Sequence, residues 1–399
     1  MDDPQSQGVP SAASLYLLAF LNFFGWYLMT PILPLYLATL TTSPAVIGVV
    51  IASASVLPLG LAYSLGMLAD RLPARTLGMI GTAGMAAAAA GFAMGQSITT
   101  AVMFQMLHGI SQVTIVLTIQ TALSRTGGAS FETLYGHYTF WASAGQTVSP
   151  LLAGLSASWL LARGAVPGQA YRAVFAGTAL VFVAALTAAR RLLGPRPEAR
   201  HLLALQVRST PRVLRARGMV AALVASTGLV FAFDVRRSFY PIYLRELGLS
   251  PAMIGALFSI FALSSGMVRP FLGRASRLVK PSRLLLGVLI AGALGWTGVA
   301  LASSWPALAA VAVLCGVTQG LGHPLTMSMV AGAAPPEMVG TGLGIRQVFN
   351  QAGQFLSPLV LGLTVSEAGR NASAFVAAAA ALVVVAGVVW LASPSDGAR

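Results

Sequence analysis

Charge is what this sequence has least of. Only 34 of its 399 residues are Asp, Glu, Lys or Arg, 9% of the chain, where a soluble domain carries roughly 25%. That scarcity excludes a soluble enzyme of ordinary make-up. Disorder is excluded as well, because it needs low hydrophobicity and high net charge together. Cysteine is scarcer still. Cys315 stands alone inside an apolar run, so no intramolecular disulfide and no cysteine cluster can form. No spacing of His, Cys or acids resembles a metal site, and no Walker A pattern is present. Neither a metal, nor a cofactor, nor direct ATP drive is therefore expected. The first residues, MDDPQSQGVPSAAS, lack a basic stretch, so the first apolar run reads as a retained span and not a cleaved signal.

Apolar sequence is what the chain has in abundance: 56% of its residues are hydrophobic. They gather in twelve runs, at about 14–38, 45–69, 76–95, 99–124, 134–160, 171–192, 218–244, 252–272, 284–303, 306–332, 341–364 and 372–392. As helices rising 1.5 Å per residue, such runs cross a hydrocarbon layer of about 30 Å. The reading is an all-α integral membrane protein with twelve transmembrane helices, numbered here spans 1 to 12. Little room is left for a separate soluble domain, and no enzyme is expected.

The charge that remains is lopsided, 24 basic residues against 10 acidic, for a net charge of +14. In a soluble protein this would suggest nucleic acid. Here the basic residues lie between the apolar runs, so the expected partner is the lipid bilayer and no nucleic acid. With a cytoplasmic N-terminus, sixteen basic residues face the cytoplasm, among them Arg71, Arg75 and the eight arginines from Arg190 to Arg217. Only Arg163, Arg172, Arg245 and Arg370 face outward. That bias predicts a multi-pass protein of the cell (cytoplasmic or inner) membrane with both termini inside. The polar interval 194–217 reads as a basic cytoplasmic linker between six-helix bundles at 1–193 and 218–399.

Those two halves repeat. Pro34-Leu35-Tyr36-Leu37 matches Pro241-Ile242-Tyr243-Leu244, and Ser43-Pro44-Ala45-Val46-Ile47-Gly48 matches Ser250-Pro251-Ala252-Met253-Ile254-Gly255, both at an offset of 207. Gly109-Ile110-Ser111-Gln112 matches Gly316-Val317-Thr318-Gln319 at the same offset. Ala144-Gly145-Gln146 and Ser149-Pro150-Leu151 match Ala352-Gly353-Gln354 and Ser357-Pro358-Leu359 at 208. Each copy has an even number of spans, so the copies share one orientation. This is the parallel repeat of a two-bundle secondary transporter, with the substrate path expected between the halves.

Gly66-Met67-Leu68-Ala69-Asp70-Arg71-Leu72-Pro73-Ala74-Arg75 resembles the loop 2–3 motif of the major facilitator superfamily, with Pro73 and Ala74 departing from its pattern. Span 5, with Gly145, Ser149-Pro150 and Ala153-Gly154, resembles that superfamily's exporter-associated motif, with Ser149 in place of a glycine. The resemblance covers almost the whole chain. It implies two pseudo-symmetric six-helix bundles that rock around a midplane site. It also implies that Gly66 and Asp70, with Arg71 and Arg75, latch against span 11 on the cytoplasmic side. A carboxylate there can face the positive end of a helix dipole. By pseudo-symmetry, Arg269, Gly273 and Arg277 would form a charge-reversed latch with Glu132. The resemblance places an arginine associated with proton coupling at Gln105, and its absence favours the alternative of an uptake carrier or uniporter.

Charges inside spans are costly and normally face a cavity. Asp234, Arg236 and Arg237 stand level with Tyr27, the middle of span 1, and Asp234 is the only acid so placed. It is the leading proton carrier, and the arginines leave a net charge of +1 for an anionic group. A structural ion-pair cluster is the alternative. Arg346, Asn350 and Gln354 form a polar stripe along span 11, turned to the central path unless Arg346 extends to the cytoplasm. Gln105, His108 and Gln112 share one face of span 4, and His137 lies in span 5. Each histidine is a titratable candidate or a hydrogen-bonded structural group. Asn22, Trp26, Tyr27 and Trp141 offer amide and aromatic surface to a cavity, or to ordinary packing. The expected function is proton-coupled export of a small amphipathic or anionic compound by a monomer. An uptake carrier or uniporter, and a non-transporting receptor or scaffold, remain the alternatives.

Overall fold

The computed structural model describes residues 12–124, 131–192, 214, 216, 218–335, 338–368 and 371–392. It is all-helical, with no strand among these residues. Among the described residues, ten helices are long and apolar enough to cross a membrane. Phe131–Ala162 and Val339–Ala368, of 32 and 30 residues, complete the twelve expected spans as spans 5 and 11.

Prolines set where the spans break. Span 1 runs as Ala12–Met29 and Ile32–Leu40, and span 7 as Met219–Ser238 and Tyr240–Glu246. Both interruptions lie within the turn before a repeated proline, Pro34 or Pro241. Each ring removes one N–H and crowds the carbonyl four residues back. Span 8 breaks likewise at Pro270: Pro251–Val268 passes through a 3-10 turn, Arg269–Phe271, into Leu272–Leu278. The turns after spans 5 and 7 close on Gly164 and Gly248, at φ of 87° and 83°. An L side chain is strained at such angles.

The described residues form two compact units. The first draws on Met1–Thr42, Ser53–His201 and Leu244–Ser259, and the second on Ser43–Ala52, Leu202–Tyr243 and Ile260–Arg399. Within each, the repeat read from the sequence is realised as the same helix crossings. In the first unit Gly109 lies so close to Ala54 that a Cβ would overlap the Ala54 carbonyl. In the second, Gly316 lies in the same way against Phe261, and the residue pairs are again 207 apart. Gly145 meets the Phe20 carbonyl, and Gly353 meets the carbonyl of Thr227, its repeat partner. Small residues at a crossing let two backbones approach, which is what holds helices together in lipid. The matched tyrosines also act alike. The Tyr36 hydroxyl donates to the Gly95 carbonyl, and the Tyr243 hydroxyl donates to the Val299 carbonyl at 3.2 Å.

Candidate functional site

In the first unit the polar and aromatic candidates gather on spans 1, 4 and 5. Asn22 is buried. Its Nδ2 donates to the Leu18 carbonyl at 2.8 Å, one turn back. Its Oδ1 is buried with no hydrogen-bond partner among the described residues. One turn on, half-buried Trp26 lies with its ring centroid 6.4 Å from that of His108 on span 4. Trp26 also meets Tyr27 edge-on at 5.2 Å and Phe23 at 5.6 Å. Gln105, three residues before His108, is buried, and its Oε1 likewise lacks a partner. Gln112 is half-buried on the same span. Phe23 reaches Tyr138 at 6.3 Å, which packs on Tyr135. Tyr16 packs on His137 at 5.6 Å, and Phe20 meets Trp141 edge-on at 6.2 Å. His137 and Trp141 are themselves exposed, so they edge this aromatic wall.

The second unit carries charge at the equivalent level. Asp234 sits some 20 Å along a span of about 40 Å, by the rise of an α-helix. Its Oδ1 pairs with Arg237 Nη2 at 2.8 Å, while its Oδ2 is buried without a partner among the described residues. Arg236 is buried too, with its guanidinium carbon 4.3 Å above the centre of the Phe261 ring. A cation over an aromatic face is stabilised by the ring quadrupole, more so where water is excluded. Arg346 does not extend outward. It is buried, and its Nη2 donates to the His323 carbonyl at 3.1 Å and the Thr326 hydroxyl at 3.3 Å. Asn350 is buried and accepts from the Ser226 hydroxyl at 2.9 Å, and Gln354 is half-buried beyond it.

Phe261, Thr326 and Ser226 contact the candidates Arg236, Arg346 and Asn350 and were not singled out in the sequence. Only Phe261 carried a usable signal, since it is the repeat partner of Ala54 at a glycine crossing. The other two are small hydroxyl residues with no distinctive spacing.

At the turns after spans 1 and 7 the matched Ser-Pro segments make matched contacts. In the second unit Gly48 faces the Pro358 carbonyl, and Gly362 faces Pro44. In the first unit Gly255 faces the Pro150 carbonyl and Gly154 faces Pro251, while the Ala252 N–H donates to Ser158 at 2.9 Å. Of the expected latch residues, the side chains of Gly66, Asp70, Arg71 and Glu132 lie outside the described residues, as does most of 194–217. Arg75 and Arg269 are half-buried and Arg277 is exposed. Among the described residues, a Cβ on Gly273 would meet nothing within 4 Å.

Known proteins bear on this arrangement. The family model described as Major Facilitator Superfamily matches residues 15–236 and 231–398. The quinolone resistance protein NorA of Staphylococcus aureus (strain MRSA252) is 25% identical over 155 residues. The match spans 39% of this chain and only 40% of that protein's length. A point mutant of the nucleoside transporter NupG superposes with a TM-score of 0.83 at 15% identity, covering 96% of this chain and 99% of that one. A bacterial homologue of the human lysosomal transporter Spinster, inward-facing and unoccupied, gives 0.76 at 15% identity, covering 96% and 98%. At such identities these two structures bear on the fold alone.

Proposed function

Because the chain belongs to the major facilitator superfamily, we propose that this multi-pass membrane transporter exports a small amphipathic or anionic compound, by alternating access and at the expense of the proton gradient. The cluster on span 7 carries the reading. Asp234 is a buried carboxylate that, among the described residues, is held by Arg237 on one oxygen only, and an acid in that position can take up and release a proton as its surroundings change. With Arg236 and Arg237 beside it, deprotonated Asp234 leaves one net positive charge for an anionic group. The export direction is supported by the span-5 motif and by NorA, a resistance protein matched over part of its length. Gln105 at the position of the coupling arginine supports a second reading, an uptake carrier or uniporter. The protein acts as a monomer in the cell membrane with both termini on the cytoplasmic side.

The test is transport by the purified protein in proteoliposomes, with and without an imposed pH gradient. A candidate substrate is first found by ligand stabilisation. Export coupled to proton entry is expected, and Asp234→Asn removes the response to the gradient. Undiminished gradient-driven transport by that variant would defeat the assignment.

A further inference from the structure

We infer that the end of span 5 at Gly164 seats an anionic phospholipid, with its phosphate on Arg163 and an acyl chain along the exposed face of the same helix. Such a seat is independent of what the protein carries.

Span 5 has two sides. Ser149, Ala153, Gly154 and Ala157 are buried, and Gly154 lies against the Pro251 carbonyl. At 100° per residue, Val148, Leu151, Leu152 and Leu155 fall on the opposite side, and they are 37–47% exposed. Trp159 continues that stripe at 53% exposed. In a membrane protein an apolar face turned away from the protein meets acyl chains. A tryptophan at the end of a span marks the level of the headgroups. From Val148 to Trp159 the helix rises about 16 Å, half of a hydrocarbon layer of about 30 Å.

One turn past Trp159 the stripe becomes cationic. Arg163 is exposed, and its guanidinium carbon lies 3.7 Å over the Trp159 ring. Stacking holds one face of the guanidinium and leaves its in-plane N–H donors aimed outward as a fork, the shape that fits phosphate oxygens. Among the described residues no hydrogen bond or ion pair engages that fork. A basic residue at a helix end commonly bonds the last carbonyls, but those are already taken. The Gly164 N–H donates to the Leu161 carbonyl at 3.0 Å, and the Ala165 N–H to that of Leu160 at 3.1 Å. No Asp or Glu occurs in 133–197, so spans 5 and 6 supply no acid for Arg163 along their length.

The second copy of the repeat is an internal control. At an offset of 208, Leu356, Val360 and Leu363 form the same exposed stripe on span 11. That stripe ends differently, on Glu367 in place of Trp159 and Asn371 in place of Arg163. Arg370, between them, lies outside the described residues. The apolar face is common to both copies, so contact with lipid tails explains it in both. The stacked arginine occurs in one, and it selects the charge of the headgroup.

The test uses the full chain reconstituted in phosphatidylcholine bilayers. A minor fraction of lipid is replaced by phosphatidylglycerol or phosphatidylcholine with brominated acyl chains, which quench tryptophan on contact. The chain has six tryptophans, so the Trp159 share is the difference between the parent and Trp159→Phe. Brominated phosphatidylglycerol is expected to be enriched about fivefold over brominated phosphatidylcholine at Trp159, the worth of one arginine at a charged surface. Arg163→Gln should remove that preference and Arg163→Lys should keep part of it. Glu367→Trp, added to Trp159→Phe, reports on the second copy and should show no preference. Excess inorganic phosphate should change nothing. Equal quenching of the Trp159 share by the two lipids overturns the proposal, as does a preference that survives Arg163→Gln. The same preference at position 367 would reduce it to general attraction of anionic lipid. Loss of the preference in inorganic phosphate, at constant ionic strength, would make Arg163 a site for soluble anions instead.

Discussion

The two copies of the repeat are built by the same crossings and filled with different chemistry. Gly109 on Ala54 and Gly316 on Phe261 hold the same pair of spans together, as do Gly145 on Phe20 and Gly353 on Thr227. At the midplane the likeness ends. The first copy offers Asn22, Trp26, Tyr27 and Thr30 on span 1; the second offers Leu229, Phe233, Asp234 and Arg237 on span 7. The lesson is that backbone approach is under one constraint in both copies, while the midplane side chains are free to diverge. One copy became aromatic and amide-rich, the other ionic.

The strongest way to break that contrast is to move the acid. Asp234→Asn is expected to lower gradient-driven transport at least tenfold, and adding Tyr27→Asp at the equivalent place should not restore it. Recovery in the double variant would mean that the copies are interchangeable and that only the presence of a midplane acid matters.

Next in size is the scaffold both copies share. Gly109→Leu and Gly316→Leu force a side chain into a backbone contact, and each is expected to cost about 1–3 kcal/mol or more. Thermal unfolding in detergent should show both melting well below the parent. A loss confined to one copy would show that the matched crossings are not equivalent.

The ionic copy can be sharpened at the ring beneath its arginine. Phe261→Leu removes the quadrupole at a small loss of volume, and about 0.5–2 kcal/mol is expected to be lost beyond the packing change. Ala54→Val, at the equivalent place, has no cation to lose, so any effect there is packing alone. If Phe261→Leu and Arg236→Leu lower stability additively in a double variant, the two side chains are not coupled.

The smallest effect concerns what the copies still have in common. Tyr36→Phe and Tyr243→Phe each remove one hydroxyl–carbonyl bond, for about 0.5–1.5 kcal/mol. Similar shifts in the melting temperature are expected from both.

Much of the fold was legible because membrane spans obey a simple length rule and because repeated motifs carry their own register. The offset of 207 showed the repeat before any coordinates, while the breaks of spans 1 and 7 before Pro34 and Pro241 went unread, each span having been taken as one continuous run. The candidate site was legible only residue by residue. Asp234 stood out since a lone acid in an apolar run has few explanations. Its partner choice did not: Arg236 and Arg237 are adjacent in sequence, yet one pairs with the carboxylate and the other lies over Phe261. Helical phase separates them by about 100°, and which face meets which neighbour is fixed by packing. Arg346 illustrates the same limit, because the His323 carbonyl and Thr326 that hold it lie on another span.

The uneven placement of charge also bears on how the chain enters a membrane during synthesis. Spans 1 to 4 carry no charge between residues 12 and 69 or between 76 and 124, so a translocon can release each of them into lipid on its own merit. Span 7 cannot be treated so. Its three central charges each oppose insertion by about 2.5–3.5 kcal/mol, against about 0.3–0.6 kcal/mol returned per strongly apolar residue. Even with Asp234 and Arg237 neutralising one another, the segment needs neighbours in place to shelter it. The later copy of the repeat thus depends on assembly order in a way the earlier copy does not, and span 7 is the step at which biogenesis would stall.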